Sequence, residues 1–245
     1  NFIAGTNAGI AITPASTSAC NNFLVGCNAG RRVLHSNSII IGCNAGCANV
    51  SSGNLIAIGQ CAGYCFGSGS IRNIAIGREA GENIQGADDN VFIGAYAGHC
   101  VTSGGCNTAV GRYAGACVQT GQYNTFLGHD AGFGFACCGD GSYNTGLGKG
   151  AIYSIQSGDC NLAVGYQAGK CTTSGCQNTF LGANAGNTNT TGDKNVAIGY
   201  DVELPSATAD NQMAIGNDTN RWITGDSNFN IFDKDGNQLN GASGG

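Results

Sequence analysis

The feature that most constrains this chain is a short sequence motif that recurs at a nearly constant spacing. The motif is clearest between Asn124 and Gly132, where an aliphatic residue precedes Gly128 and an Ala-Gly pair follows it. Most successive copies are 17 residues apart, and a fixed short period of this kind is the signature of stacked repeats. With the glycine after the aliphatic residue as a marker, the copies centre on Gly5, Gly26, Gly42, Gly59, Gly77, Gly94, Gly111, Gly128, Gly148, Gly165, Gly182, Gly199 and Gly216.

One repeat is too short and too rich in glycine to hold a helix. Only about three to five residues per repeat can form a strand, because glycines and polar residues occupy the rest. The 245 residues include 43 glycines and only 2 prolines, without the Gly-X-Y period of collagen, which indicates dense turns between short strands. The sequence therefore predicts an all-β fold, a parallel β-solenoid or β-roll of about 13 coils, one coil per repeat.

The repeat is least regular at the start of the chain and is lost near its end. We expect residues 1–216 to form the solenoid, with 1–63 less regular and 64–216 following the repeat closely. Residues 217–245 are not repetitive. They are predicted to form a β cap or transition followed by a Gly-rich linker, because the open end of a solenoid is an exposed sheet edge.

Composition excludes several classes of function. Only 10% of the residues are charged and the net charge is −5, which argues against nucleic-acid binding, since that requires a basic surface. No apolar run approaches the roughly 18 residues that a membrane-spanning helix needs. The 15 acidic residues are scattered, and the glycine-rich steps lack the Lys-Ser/Thr of a phosphate loop. The sequence therefore predicts a protein without enzymatic activity, cofactor or membrane span.

The two strand positions before each marker glycine are both apolar. The residue directly before the glycine is aliphatic in nearly every repeat, and the preceding one is small or Phe. Successive strand residues point to opposite faces, and a strand with one wet face should alternate apolar and polar residues. We therefore expect the aliphatic series to fill the coil and the other series to pack between chains. The predicted interchain residues are Phe92, Phe126, Phe180, Ala75, Ala109, Ala163 and Ala197.

The alternative interpretation is that the Ala residues are tolerated at the surface and the three Phe residues are isolated exposures. A line of three exposed Phe residues would form an apolar patch of the kind that usually marks an interface. Packing between chains is therefore the favoured prediction.

An asparagine recurs four positions before the marker glycine. Stacked coils would align these residues into a ladder of side-chain amides, each bonded to the turns above and below. The ladder is predicted at Asn73, Asn90, Asn107, Asn124, Asn144, Asn161, Asn178 and Asn195.

Several of the 14 cysteines occupy equivalent positions in successive repeats. Equivalent residues of adjacent coils lie about 4.8 Å apart, which is inside the roughly 4.4–6.8 Å Cα separation of a disulfide. Cys27 with Cys43, and Cys100 with Cys117, are therefore candidate bridges between coils.

Other cysteine pairings compete with these bridges. Cys100 with Cys106, and Cys171 with Cys176, are candidates within single loops, and a bridge between chains is a further alternative. The cysteine content favours an oxidising, extracellular setting over thiols buried as small hydrophobic residues. No metal site is predicted, because the chain has no C-x-x-C pair and its 3 histidines are not at ligand spacing.

The repeat resembles two related groups of elongated proteins. Asn195-Val196-Ala197-Ile198-Gly199 and Asn107-Thr108-Ala109-Val110-Gly111 resemble coils of YadA-like trimeric adhesin heads. The run from Asn178 to Gly192 is similar to repeat regions of tailed-phage and large-virus fibres, and the resemblance covers roughly residues 1–225. It implies a left-handed β-roll, three chains intertwined or packed about one axis, and a location outside the cell or on a virion surface. The 17-residue period and the cysteine content depart from the adhesin heads.

The leading hypothesis is a homotrimeric fibre or adhesin segment that gives rigid extension and attaches to a host-surface glycan or receptor. A second hypothesis is a monomeric surface- or ice-binding solenoid. That function would require a regular Thr array, and Thr108, Thr125, Thr145 and Thr179 share a register that Leu162 and Val196 interrupt. A carbohydrate-active β-helix ranks last, because such an enzyme requires clustered carboxylates.

Overall fold

The structure, a computed structural model, describes residues 1–12, 19–48, 53–67, 69–134, 139–218 and 220–239. These residues form fifteen strands in one sheet, in which each strand neighbours the next one along the chain, and they contain no helix. The predicted all-β parallel solenoid with a repeat of about 17 residues is confirmed, with about 12 turns. The parallel strands are β1 (Phe2–Ala4), β2 (Phe23–Val25), β3 (Ile39–Ile41), β4 (Ile56–Ile58), β5 (Ile74–Ile76), β6 (Val91–Ile93), β7 (Thr108–Val110), β8 (Thr125–Leu127), β9 (Thr145–Leu147), β10 (Leu162–Val164), β11 (Thr179–Leu181), β12 (Val196–Ile198) and β13 (Met213–Asn217).

Each three-residue strand ends at a marker glycine whose conformation and surroundings exclude a side chain. Gly128, which follows β8, has φ +136°, a value that residues with a Cβ rarely adopt. A Cβ at this position would lie 2.6 Å from the carbonyl oxygen of Gly148 in the next coil. The marker glycine therefore permits two coils to approach closely at the point where each strand turns into its loop.

The middle residue of each strand points into the coil, and the two residues beside it point outward. Phe92, Phe126 and Phe180 are only 1%, 2% and 0% exposed and belong to the core of this single chain. The prediction that this series packs between chains is wrong, as is the alternative that the three Phe residues are exposed. The inward Ala residues Ala75, Ala109, Ala163 and Ala197 are buried in the same core.

The Ala and Phe series therefore lies inside the coil and the aliphatic series lies outside, the opposite of the prediction. A run of apolar residues does not show which face is interior. The interior accepts a Phe ring because glycines occupy the loop positions directly beside it. A Cβ on Gly98 would lie 2.6 Å from the ring of Phe92, and a Cβ on Gly132 would lie 2.4 Å from the ring of Phe126. Phe and Ala therefore share the inward position, since each ring extends beyond its own coil.

One coil fills its interior from the loop instead of from the strand. In β9 the inward residue is Gly146, and Ile152 is fully buried at the loop position that most other coils give to glycine. A Cβ on Gly146 would lie 3.0 Å from Cγ1 of Ile152 and 3.2 Å from Phe126. The volume that the strand lacks is thus supplied by the loop, as close packing requires.

The predicted asparagine ladder is confirmed. Asn144 is fully buried, and its Oδ1 accepts a hydrogen bond of 3.0 Å from the backbone N–H of Asn161 in the next coil. Its Nδ2 donates to the carbonyl oxygen of Gly158 at 2.7 Å. The same pair of bonds recurs from Asn73 to Asn195, so each amide fastens one coil to the next without leaving a buried polar group unpaired.

After β13 the sheet continues as an antiparallel hairpin. β14 (Asn220–Gly225) pairs antiparallel with β13, with an irregular register between Ile215 and Gly216, and β15 (Ile231–Asp233) pairs antiparallel with β14. The described residues beyond Gly216 therefore form no further coil. The Gly-rich segment 241–245, predicted to be a linker, lies outside the described residues.

Replacing Asn144 by Ala should destabilise the solenoid. The change leaves a buried N–H of Asn161 and a buried carbonyl of Gly158 without a partner, and each unsatisfied group costs about 1–3 kcal/mol. Asn144→Ser should recover part of the loss, because Ser38 occupies this repeat position and its Oγ accepts the N–H of Leu55. Denaturant unfolding followed by circular dichroism measures both, and an Asn144→Ala variant as stable as the wild type would contradict the role of the ladder.

Two glycines with positive φ should respond differently to substitution by Ala. A Cβ at Gly128 meets the backbone of the next coil, whereas a Cβ at Gly69, with φ +89°, meets nothing within 4 Å. Both variants bear the cost of the strained conformation, about 1–2 kcal/mol, but only Gly128→Ala must also push two coils apart. Thermal unfolding should show the larger loss for Gly128→Ala, and equal losses would refute the close-contact argument.

Candidate functional site: an outward sheet face and a Glu-His loop cluster

The outward side of the parallel sheet forms a continuous apolar surface, here called the outward face. It consists of the first and third strand residues of β1–β13, which the in-register pairing aligns into two columns. The first column is Phe2, Phe23, Ile39, Ile56, Ile74, Val91, Thr108, Thr125, Thr145, Leu162, Thr179, Val196 and Met213. The third-residue column is Ala4, Val25, Ile41, Ile58, Ile76, Ile93, Val110, Leu127, Leu147, Val164, Leu181, Ile198 and Ile215.

No charged residue belongs to the outward face, and many of its side chains remain open to solvent. Ile39, Ile93 and Leu127 are 42%, 37% and 40% exposed. Adjacent strands are about 4.8 Å apart and alternate residues about 6.7 Å apart, so the face is about 58 Å long and roughly 10 Å wide. An apolar strip of about 600 Å² is at the upper end of what a typical monomer exposes and often marks an interaction site.

Hydroxyl groups enter the outward face only in the first column. Thr108, Thr125 and Thr145 follow one another in register, and Leu162 then separates them from Thr179. The third-residue column is aliphatic throughout. The two columns therefore differ in chemistry, although neither carries a charge.

None of the 12 cysteines that the structure describes forms a disulfide. Cys27 and Cys43 lie in adjacent coils, where the N–H of Asn44 bonds to the carbonyl of Cys27 at 2.9 Å, yet both thiols are exposed and separate. The structure forms neither the predicted Cys27–Cys43 and Cys100–Cys117 bridges nor the rival pairings, Cys100 with Cys106 and Cys171 with Cys176. These pairings stay predictions.

The geometry of a parallel stack explains why these cysteines do not pair. In register, the Cβ atoms of equivalent residues point the same way and stay about 4.8 Å apart. A disulfide needs a Cβ separation of about 3.5–4.5 Å with the two Cβ atoms converging. A suitable Cα separation is therefore not sufficient for a disulfide in this stack. Cys100 and Cys106 also bond to different partners, the carbonyls of Ala116 and Asp88, and so lie in different stacks of the coil.

A cluster of three potential metal ligands lies where two successive loops stack. Glu79 and Glu82 belong to the loop between β5 and β6, and His99 belongs to the loop between β6 and β7. His99 Nε2 lies 2.7 Å from a carboxylate oxygen of Glu82 and 3.5 Å from one of Glu79. All three side chains are partly buried, and one ligand atom from each lies within 4.8 Å of the others.

Sequence reasoning missed this cluster because it looked for ligands at short spacing within one segment. Glu82 and His99 are 17 residues apart and therefore occupy the same repeat position in adjacent coils. The repeat period was the signal that could have found them. His129 pairs with Asp130 at 2.7 Å, but no third ligand residue completes a cluster there among the described residues.

Aromatic residues at equivalent loop positions stack on one another. The rings of Tyr96 and Tyr113 are 4.8 Å apart and nearly parallel, as are those of Phe133 and Tyr153 at 5.1 Å. Tyr96, Tyr113 and Phe133 also line an apolar cavity of about 250 Å³ next to His99. Neighbouring rings cover much of each other's faces in these stacks, so the stacks pack adjacent loops against one another.

A second surface feature lies at the C-terminal hairpin. Trp222 is 60% exposed and borders a groove of about 730 Å³ together with Arg221 and Lys234. Lys234 pairs with Asp235 at 2.6 Å, so the charges around the groove are partly balanced. Exposed Trp beside polar groups is typical of contact surfaces.

Comparisons with known proteins find no match to this chain among family models, curated proteins or solved structures. Within the described ranges, no helix has the length and hydropathy needed to cross a membrane.

The thiols of Cys27 and Cys43 should react with iodoacetamide in the native protein without added reductant. Both are exposed, whereas Cys47 is buried and should stay unlabelled until the chain is unfolded. Mass spectrometry of labelled peptides identifies the modified positions. A pair of exposed cysteines that resists labelling until reductant is added would show that a disulfide forms after all.

Proposed function

We propose that this chain is a rigid, non-enzymatic segment of an elongated fibre or adhesin. In this proposal it assembles with two further copies through the outward face. The observation that carries the proposal is a continuous uncharged strip along one side of the rod, with side chains that remain partly open to solvent.

The stacking of the coils suits mechanical extension. About 12 turns at about 4.8 Å give a rod about 58 Å long. Every coil is fastened to the next by strand pairing and loop hydrogen bonds, and most coils add the asparagine ladder. Such a rod resists bending and compression without a large globular core.

The size of the outward face suits association between copies. A stable interface buries about 800 Å² per partner. The face offers each chain about 600 Å², which a ring of three divides between two neighbours, so the flanking loops must contribute the remaining area. Burying about 600 Å² of apolar surface is favourable by about 15 kcal/mol before the loss of translational and rotational freedom is subtracted.

The two columns are compatible with a ring of three. About a threefold axis, the first column of each chain would pack against the third-residue column of its neighbour. Such a heterologous contact closes into a ring when the rotation between copies is 120°. The resemblance to trimeric adhesin heads points to the same stoichiometry.

As a further part of this proposal, the fibre attaches to a host-surface glycan or receptor and lies outside the cell or on a virion surface. The thiols do not support an oxidising compartment, because no disulfide links the described cysteines. Trp222 and the groove beside it are the surface best suited to receptor contact.

A monomeric surface- or ice-binding solenoid is the second candidate. The observation in its favour is the outward run Thr108, Thr125 and Thr145 at regular spacing. The apolar residues on either side of this run favour packing against protein.

Native mass in solution tests the assembly. Light scattering coupled to size exclusion should give three times 24.6 kDa, with or without reductant. The double variant Ile93→Lys, Leu127→Lys should give a monomer of unchanged circular dichroism, because both side chains point outward and each Lys would be buried uncompensated in the trimer.

Tyr200→Lys is the matched control, since Tyr200 is 60% exposed on a loop and Lys149 occupies the same repeat position. This variant should remain trimeric. A wild-type monomer would refute assembly and favour the surface-binding solenoid. A trimer that survives both outward lysines would place the interface elsewhere, and a dimer would refute the threefold arrangement.

A further inference from the structure

The cluster formed by Glu79, Glu82 and His99 combines two carboxylates and an imidazole from adjacent coils. Ligands bound to one zinc ion at about 2.0–2.2 Å lie roughly 3–4 Å from one another. The distances from His99 Nε2, 2.7 Å to Glu82 and 3.5 Å to Glu79, already approach this arrangement. Small side-chain rotations would admit an ion without moving the stacked backbone.

The cluster has an excess of negative charge that the described residues do not neutralise. Arg78 precedes Glu79 in the chain, but its guanidinium packs over the ring of Tyr96 at 4.7 Å and forms no ion pair with either glutamate. Nearby thiols respond to this charge. Burial raises the pKa of Cys65 and of Cys61, and the negative charge of Glu82 raises both further.

The orientation of His99 leaves the correct nitrogen available to a metal. Nδ1 lies 3.3 Å from Sγ of Cys100, so a proton on Nδ1 would point to the sulfur. Without a metal, Nε2–H donates to the carboxylate of Glu82 at 2.7 Å. A metal ion would displace that proton and take the lone pair of Nε2, while Nδ1 keeps its proton directed to the sulfur. Metal-bound histidines usually direct their second ring nitrogen to such a partner.

We propose that Glu79, Glu82 and His99 form a binding site for a divalent transition metal ion of the zinc type. Imidazole with carboxylates suits zinc and its neighbours in the first transition row, whereas calcium and magnesium prefer oxygen ligands alone. Three protein ligands leave at least one coordination position for water.

Binding at this site would join two loops that the backbone already stacks. Glu79 and Glu82 come from one coil and His99 comes from the next, so a bound ion would connect the two coils. A ligand that binds only the folded chain stabilises it in proportion to its occupancy. The inference is independent of the proposed assembly, since all three ligands belong to one chain.

Cobalt titration of the metal-free full chain tests the site, because Co²⁺ replaces Zn²⁺ and gives visible absorption bands. The wild type should bind one equivalent, which Zn²⁺ should displace, and Zn²⁺ should raise the melting temperature. His99→Ala and Glu82→Gln should each weaken binding by about 10-fold or more. Circular dichroism of each variant without metal checks that it still folds.

His129→Ala is the matched control, because His129 forms a similar His-carboxylate pair at 2.7 Å without a third ligand. This variant should bind Co²⁺ as the wild type does. Failure of the wild type to bind would reduce the cluster to an ordinary ion pair and overturn the proposal. A thiolate-to-cobalt charge-transfer band that persists in His99→Ala would place the metal on cysteines and overturn it equally.

Discussion

The structure depends on one constraint, the in-register stacking of each coil on the next. Backbone hydrogen bonds connect equivalent positions throughout the coil. Gly128 N–H bonds to the carbonyl of Val110, and Gly132 N–H bonds to that of Ala151. Any residue type that recurs every 17 positions therefore becomes a column, and its side chain meets copies of itself. The asparagine ladder, the glycine contacts, the aromatic stacks and the two outward columns all follow from this register.

Whether a column stabilises the chain depends on the interactions that identical or related side chains can form when their backbones are about 4.8 Å apart. Amides complement one another at this distance, because each offers a donor and an acceptor, as Asn144 and Asn161 do. Aromatic rings stack. Thiols such as those of Cys27 and Cys43 cannot bond without converging. Opposite charges pair readily, as in the bidentate contact of Arg72 with Asp89, which also lie 17 residues apart.

The same geometry distinguishes the interior of the coil from its outward face. The interior has little freedom, because Phe126 must fit against glycines of the neighbouring loops and Gly146 requires Ile152 as its counterpart. Among the described residues the outward face has no such partner, and its uncharged character is what the proposed assembly uses. The Glu79, Glu82 and His99 cluster shows a third use of the stack, in which different residues at nearby positions combine across two coils.

The repeat, the all-β solenoid, the marker glycines and the asparagine ladder could be predicted from the sequence, because each is a periodic pattern with a local physical cause. The sequence could not decide which of two apolar strand positions faces inward, since Phe126 and Leu127 are equally hydrophobic and only the curvature of the closed coil separates them. It also could not decide that the cysteines stay apart or that Glu82 meets His99. Those outcomes depend on the direction of side chains across adjacent coils, which only the tertiary structure fixes.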